Sequence, residues 1–225
     1  MANKQEWRDT HFRIEGPAVF GLQAAFMENR IETGRPLAFD HSVVRTSDAG
    51  RESDIQVIRT SASVRWSYIV MLYQVHIKMA NESVYITTAC FNPNKAILNL
   101  LIESAERGVD VRIMMPGQPT GKEIAKVTGN ESFDQLLDAG AELWYYQKTM
   151  LHAKIITVDG LINCIGSANF NHRSMFKDDE VNVVILDEEV AGQLNDHFDD
   201  DFAGSEKIEK GRWKQRNLFK RVKEK

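Results

Sequence analysis

A histidine and a lysine lie two residues apart, His152 and Lys154, in the otherwise apolar segment from Leu151 to Val158. Side chains two apart on a β-strand point to the same face, so a strand here would bring the imidazole and the ammonium together. Placing both groups on an apolar strand is costly unless an anion binds between them. The pair is therefore a candidate anion site in which histidine transfers protons or attacks as a nucleophile and lysine stabilises negative charge.

Hydrogen-bonding groups follow on the next predicted strand. Gly166 has no side chain and permits close backbone approach, while Ser167 and Asn169, again two apart, offer a hydroxyl and an amide. With His152 and Lys154 they form a plausible cradle for a phosphate group. The structural alternative is a half-buried histidine, a lysine that reaches solvent and an ordinary strand end.

The spacing His-x-Lys-x4-Asp-x6-Gly-Ser-x-Asn fixes six positions, which makes a chance match improbable. At these residues, all within 146–173, the chain resembles the phospholipase D superfamily. Its bacterial cardiolipin-synthase branch is also similar at five further segments: Trp7–His11, Arg13–Val19, Tyr85–Thr88, Arg107–Arg112 and Asp179–Asn182.

The resemblance implies phosphodiester chemistry through a covalent phosphohistidine, in which a second histidine protonates the leaving alcohol and then activates the acceptor. It makes His152 one of that pair, and we favour the acid/base role for it. Lys154, Ser167 and Asn169 would hold phosphoryl oxygens as charge builds in the transition state. The reaction of this family requires no metal ion and no cofactor.

Two carboxylates complete the site that the resemblance implies. Glu180 is similar to the downstream carboxylate that hydrogen-bonds the catalytic imidazole and orients it. Asp159 belongs to the catalytic motif, but its place in an Asp-Gly hairpin favours a structural role over contact with substrate.

The family site needs two His-Lys pairs, and this sequence holds one. His76-Ile77-Lys78 has Ser83 where the motif requires aspartate, and the remaining histidines have no lysine two positions later: His11, His41, His172 and His197. We therefore expect the chain to be the C-terminal half of a longer enzyme. The second pair would come from an N-terminal segment, a separate chain or a second copy in a homodimer.

Three functions remain open at this point. The leading hypothesis is a phosphatidyltransferase of cardiolipin-synthase type, which converts the anionic phospholipid phosphatidylglycerol to cardiolipin and glycerol. A homodimeric phosphodiesterase or nuclease would use one His152 from each copy. An inactive fragment or partner subunit would keep the fold and bind anionic lipid.

The elements that must position these residues alternate between strand and helix, which indicates an α/β sandwich with a central mixed sheet flanked by helices. A hairpin at Asp159-Gly160 would join the strand of His152 to the next one. Helices are predicted over 17–33, 66–79, 93–107, 133–139 and 188–202, and a long loop over 34–54. Residues 1–204 are expected to form one catalytic domain and residues 205–225 a basic tail.

The net charge of −4 conceals an asymmetry: nine Lys or Arg against three Glu give residues 205–225 a charge of +6, and the rest carries −10. Such a tail is expected to contact an anionic membrane surface, and the resemblance makes nucleic acid an unexpected partner.

No apolar run approaches the roughly 20 residues of a membrane span, and the start lacks a signal peptide. Two cysteines favour a reducing compartment. We expect a peripheral protein on the cytoplasmic side of the inner membrane.

Overall fold

The main element of the structure is an eight-stranded mixed sheet in the order β12-β6-β5-β3-β8-β9-β11-β2. The computed structural model describes residues 6–34, 52–60, 67–117 and 130–210. The strands are β1 Trp7–Arg8, β2 Asp54–Thr60, β3 Ser83–Thr87, β4 Phe91–Asn92, β5 Asp110–Pro116, β6 Glu142–Tyr146, β7 Met150–Leu151, β8 Ile155–Val158, β9 Ile162–Gly166, β10 Phe170–Asn171, β11 Glu180–Leu186 and β12 Ser205–Lys207. The helices are α1 Ala18–Glu32, α2 Tyr68–Met79, α3 Lys95–Glu106, α4 Asn130–Asp138, α5 His172–Phe176 and α6 Glu188–Phe202.

Strands β3, β5 and β6 run parallel to one another, and the other neighbours in the sheet are antiparallel. The predicted α/β fold with a central mixed sheet is confirmed. Two short parallel pairings lie beside the main sheet: β1 with β7, and β4 with β10. Both pairings flank the segments that carry the candidate site residues.

Helices cover both faces of the sheet. Helices α2 and α3 pack on one face in a large apolar core that includes Ile77, Leu101 and the sheet residue Val184. On the other face α6 packs through Leu194 against Val183 and Ile185 of β11. Central strands are thus buried on both sides, which explains their nearly continuous Val and Ile content.

The hairpin between β8 and β9 forms at the predicted dipeptide. Asp159 has φ 51° and Gly160 has φ 60°, so both central residues lie in the left-handed region that a tight two-residue turn requires. The register that follows aligns Ile155 with Ile165. The hairpin thereby sets where Lys154 and Gly166 meet at the end of the two strands.

The residues that follow position 204 continue the sheet for a short distance. Ser205–Lys207 forms edge strand β12 against β6, and Ile208, which is 1% exposed, donates its backbone N–H to the carbonyl of Leu143. The exposed edge of β6 offers unpaired backbone groups, and pairing satisfies them. The remainder of the predicted basic tail, residues 211–225, lies outside the described residues, as does most of the predicted loop over 34–54.

Candidate active site

His152 and Lys154 lie between two strands and not within one. Strand β7 pairs with β1 and ends at Leu151, and β8 enters the main sheet at Ile155. The continuous strand expected over 151–158 is therefore interrupted, because its first residues pair with the N-terminal segment. Even so, the Nζ atom of Lys154 lies 3.0 Å from Nε2 of His152, so the predicted pair is formed.

The imidazole of His152 is held by Asp9. Its Nδ1 atom lies 3.0 Å from Oδ2 of Asp9, and its backbone N–H donates to the carbonyl of Arg8 at 2.8 Å. An ionised carboxylate can only accept, so Nδ1 carries the proton and Nε2 is the acceptor that faces Lys154. Burial alone would raise the pKa of Asp9, but the hydrogen bonds from His152 and Thr10 lower it below its usual value.

The carboxylate on the imidazole of His152 is Asp9, and the orienting role expected for Glu180 stays a prediction. Glu180 begins β11 beside the end of β9, where its carboxylate accepts a hydrogen bond from the hydroxyl of Ser167. The N-terminal segment, placed by the β1–β7 pairing, brings Asp9 to the ring. Sequence reasoning missed Asp9, although Trp7–His11 was among the segments that carried the family resemblance.

The segment that carries Asp9 is anchored by the side chains of Arg8 and Trp7. Arg8 forms a salt bridge of 3.0 Å with Asp201 near the end of α6. The ring of Trp7 lies 4.4 Å from the imidazole of His152, centroid to centroid, although the Trp7 residue is 64% exposed. These contacts hold Asp9 against the imidazole, and residues 9–12 line the cavity beside it.

Lys154 is 9% exposed and also donates to the backbone carbonyl of His152. Burial lowers the pKa of its ammonium below the usual value, while the carboxylates of Asp9 and Glu180 act in the opposite direction. Lys154 is thus a largely buried cation on the lining of the site, within hydrogen-bond distance of the imidazole of His152.

Ser167 and Asn169 reach the same cavity as the histidine and the lysine. Oδ1 of Asn169 lies 3.4 Å from the hydroxyl of Thr88, which leaves the amide nitrogen as the donor end of the side chain. A Cβ atom at Gly166 would lie 2.2 Å from the carbonyl oxygen of Val181, so only glycine permits this approach of β9 to β11. The expected close approach at Gly166 is thus present.

The cavity that these side chains line has a volume of about 520 Å³. His152, Lys154, Ser167 and Asn169 are all on its lining together with Asp9. Glu180 is next to this lining, because its carboxylate accepts a hydrogen bond from Ser167. We call this the catalytic cavity.

Asp159 lies apart from the catalytic cavity, at the far end of β8. Its carboxylate accepts from the backbone N–H groups of Asn81, Glu82 and Ser83 at distances of 2.8 to 3.2 Å. Burial alone would raise the pKa of Asp159, but these donors lower it below its usual value. This position agrees with the structural role expected for the hairpin aspartate.

Within the described ranges, no three or more His, Cys, Asp or Glu side chains are grouped so that they could hold a metal ion. The same ranges contain no helix with the length and apolarity of a bilayer span.

Fold and site together define a phospholipase D-like domain with one His-Lys pair. Residues 73–202 match the family described as "Cardiolipin synthase, PLD-like domain", and the chain belongs to that family.

Curated relatives include cardiolipin synthases from two bacterial genera. The chain is 34% identical to cardiolipin synthase of Staphylococcus aureus strain Mu50 over 220 residues, which are 97% of this chain and 44% of the relative. It is 33% identical to cardiolipin synthase 2 of Bacillus anthracis over 218 residues, 96% of this chain and 42% of the relative. The chain therefore spans less than half the length of these relatives.

Two solved structures share the fold. Nuc from Salmonella typhimurium, a phospholipase D family member, superposes with a TM-score of 0.58 at 23% identity over 70% of this chain and 99% of that chain. Phosphatidylserine synthase from Haemophilus influenzae Rd KW20 gives a TM-score of 0.58 at 14% identity over 87% of this chain and 48% of that chain.

Proposed function

We propose that the chain supplies one half of an active site that transfers phosphatidyl groups between phospholipids, as a cardiolipin synthase does. Phosphatidylglycerol would be both donor and acceptor, and the products would be cardiolipin and glycerol. The observation that carries the proposal is the imidazole of His152, fixed by Asp9 at Nδ1 and facing Lys154 at Nε2, on the lining of the catalytic cavity. Family membership and the cardiolipin synthase relatives support it.

The reaction proceeds in two displacements. First, a histidine of the second His-Lys half attacks phosphorus and forms the N–P bond, the P–O bond to glycerol breaks, and protonated His152 gives its Nε2 proton to the departing oxygen. Then Nε2 of His152 takes the proton from the acceptor hydroxyl, whose oxygen attacks phosphorus. The N–P bond breaks, and the histidine of the second half is freed. The unprotonated Nε2 that faces Lys154 is the form that this second displacement requires.

Phosphoryl oxygens would be held by Lys154, Ser167 and Asn169. The cation of Lys154 and the amide of Asn169 would stabilise the charge that develops on these oxygens in each transition state, and the hydroxyl of Ser167 would join them by turning from Glu180 to the phosphate. Because Lys154 and the imidazoles provide the positive charge, the proposed reaction uses neither a metal ion nor a cofactor.

Glu180 is proposed to orient the histidine of the second half. Asp9, which serves the same purpose for His152, comes from a segment 143 residues away and outside the catalytic motif. Glu180 lies close enough to Lys154 to influence its pKa, and it contacts Ser167 at the cavity edge. A second imidazole that entered opposite His152 would find this carboxylate as its acceptor.

The second half would come from an N-terminal segment of a longer protein, a separate chain or a second copy of this chain. The relatives are more than twice as long as the matched region, which favours a further segment of one longer protein. The basic residues in 205–225 are proposed to hold the domain peripherally at an anionic leaflet, on the cytoplasmic side of the inner membrane.

The test is turnover of labelled phosphatidylglycerol by the purified chain, alone and mixed with the N-terminal half of the Staphylococcus aureus relative. We expect cardiolipin and glycerol in the mixture and loss of both with His152→Ala. Absence of product in both samples contradicts the proposal, and product that survives His152→Ala assigns the chemistry to the other half. A chain that binds lipid without any turnover would be an inactive partner subunit.

A further inference from the structure

A second cavity adjoins the catalytic cavity. It is a groove of about 980 Å³ between helix α1, edge strand β2 and helix α2. Its apolar lining comes from all three elements: Leu22, Ala25, Phe26, Val57, Ile58, Tyr68, Met71, Leu72 and Val75. We call it the apolar groove.

The lining of the apolar groove is unusually exposed for side chains of this type. Phe26 is 63% exposed, Tyr68 61%, Val75 48% and Met71 43%. Single exposed apolar residues are common on protein surfaces, but a contiguous exposed apolar surface is typical of a binding site. The described residues of the apolar groove form such a surface.

The apolar groove and the catalytic cavity are continuous. Leu22, Ser167 and Val181 line both of them. The groove therefore reaches Ser167, which lines the catalytic cavity together with Lys154 and His152. One end offers a cation and hydrogen-bond donors, and the remainder offers mainly aliphatic and aromatic surface.

Charged side chains also line the groove, namely Glu28, Glu32, Arg59, Asp179 and Glu180. Glu28 forms a salt bridge with Arg59 on β2, and Glu180 accepts from Ser167. Neither pair interrupts the apolar path formed by α1 and α2.

We infer that the apolar groove binds an acyl chain of the phospholipid whose phosphate occupies the catalytic cavity. The inference rests on the proposed function and names the part of the substrate that this surface receives. The groove volume lies near the upper end of the roughly 300–1,000 Å³ of ligand pockets, enough for hydrocarbon beside a phosphate site. Burying the chain there removes both its surface and the exposed lining from water.

The test measures equilibrium binding of phosphatidylglycerol to the full chain by calorimetry, without turnover. Dihexanoyl and dioctanoyl lipids are compared below their critical micelle concentrations. Two additional methylenes in the groove should tighten binding roughly tenfold. Met71→Trp fills the groove and should reduce this ratio below about threefold, because the longer chain then gains little burial.

Met79→Trp is the matched control. Met79 is 60% exposed on the same helix but does not line the groove, so this variant should keep the ratio of the unmodified chain. Val75→Lys, which places a cation among the lining side chains, is a second variant in case the tryptophan is accommodated. Circular dichroism melting confirms that each variant is folded.

Equal affinity for the two lipids, or an unchanged ratio in both groove variants, overturns the inference. If the groove instead seats another half of the enzyme, sedimentation will show an assembly that Met71→Trp and Val75→Lys dissociate, with no dependence on chain length. Binding that depends on chain length, together with no product from the chain either alone or mixed with the N-terminal half, would refute the proposed reaction and leave the groove assignment intact.

Discussion

At the scale of single residues, the site depends on which carboxylate holds which ring. The sequence motif identified His152, Lys154, Ser167 and Asn169, and the structure brings all four to one cavity. It did not identify Asp9, because the partner of an imidazole is decided by how two distant segments pack. The imidazole that Glu180 would orient was not predictable either, since order along the chain does not show which carboxylate faces which side of the cavity.

Asp9→Asn should lower turnover about 100- to 10,000-fold, because an amide can donate to Nδ1 and stabilise the wrong imidazole tautomer. The measurement is kcat in the reconstituted assay, with thermal unfolding as a check on the fold. Asp54→Asn, at an exposed position on β2, is the control and should keep full turnover. If Asp9→Asn matches this control, Asp9 does not position the ring.

Asp159→Asn should destabilise the fold by about 1–2 kcal/mol at neutral pH and leave turnover unchanged, because the carboxylate binds backbone N–H groups away from the catalytic cavity. The pKa of Asp159 is lowered on folding. Its stabilisation is therefore fully present above the ordinary value of 3.8 and is lost as the pH falls through the lower folded value.

Urea denaturation of the Asp159 variant and the unmodified chain at pH 7 and near pH 2 measures this difference. The gap in unfolding free energy should shrink at the acidic pH. A gap that is the same at both values, or a large loss of turnover, would contradict the structural role.

At the scale of elements, the close contact of β9 with β11 sets the floor of the catalytic cavity. Gly166→Ala should destabilise the fold by roughly 1–3 kcal/mol, because the new methyl would overlap the carbonyl of Val181. Gly192→Ala in α6, where a Cβ meets nothing within 4 Å, should instead stabilise by roughly 0.5–1 kcal/mol. Chemical denaturation of both variants measures the two changes in unfolding free energy, which should have opposite signs. If the signs are equal, β11 has shifted to accommodate the added methyl.

Most elements of the fold were predictable from local signals. Helix α6 and the Asp159-Gly160 hairpin are where the apolar spacing and turn residues place them. The short strands β1, β7 and β12 were not predictable, because two or three residues carry no periodicity and form only where another segment presents an open edge. Strand β1 is nevertheless the element that delivers Asp9.

At the scale of the whole molecule, one His-Lys pair and one apolar groove describe a domain that supplies part of a larger site. Glu180→Gln tests this arrangement. If Glu180 orients the histidine of the second half, the variant should lose turnover in the reconstituted enzyme by about 100-fold or more, as for other groups that orient a catalytic imidazole.

The environment of His152 in the same variant should be unchanged, since its ring contacts Asp9. Histidine NMR signals of the isolated chain before and after Glu180→Gln measure this. If the His152 signals change and turnover is lost, Glu180 orients His152, the histidine of its own half.

The bond between Asp9 and His152 also determines when during folding the protein becomes competent. It joins residues 143 positions apart, so it closes one of the longest loops in the chain, and contacts of that separation form late. After dilution from denaturant, helical circular dichroism should return before lipid turnover does. During synthesis, the ring of His152 would stay without its carboxylate partner until Asp9 meets the finished sheet, so an unfinished chain would hold the imidazole in no fixed orientation.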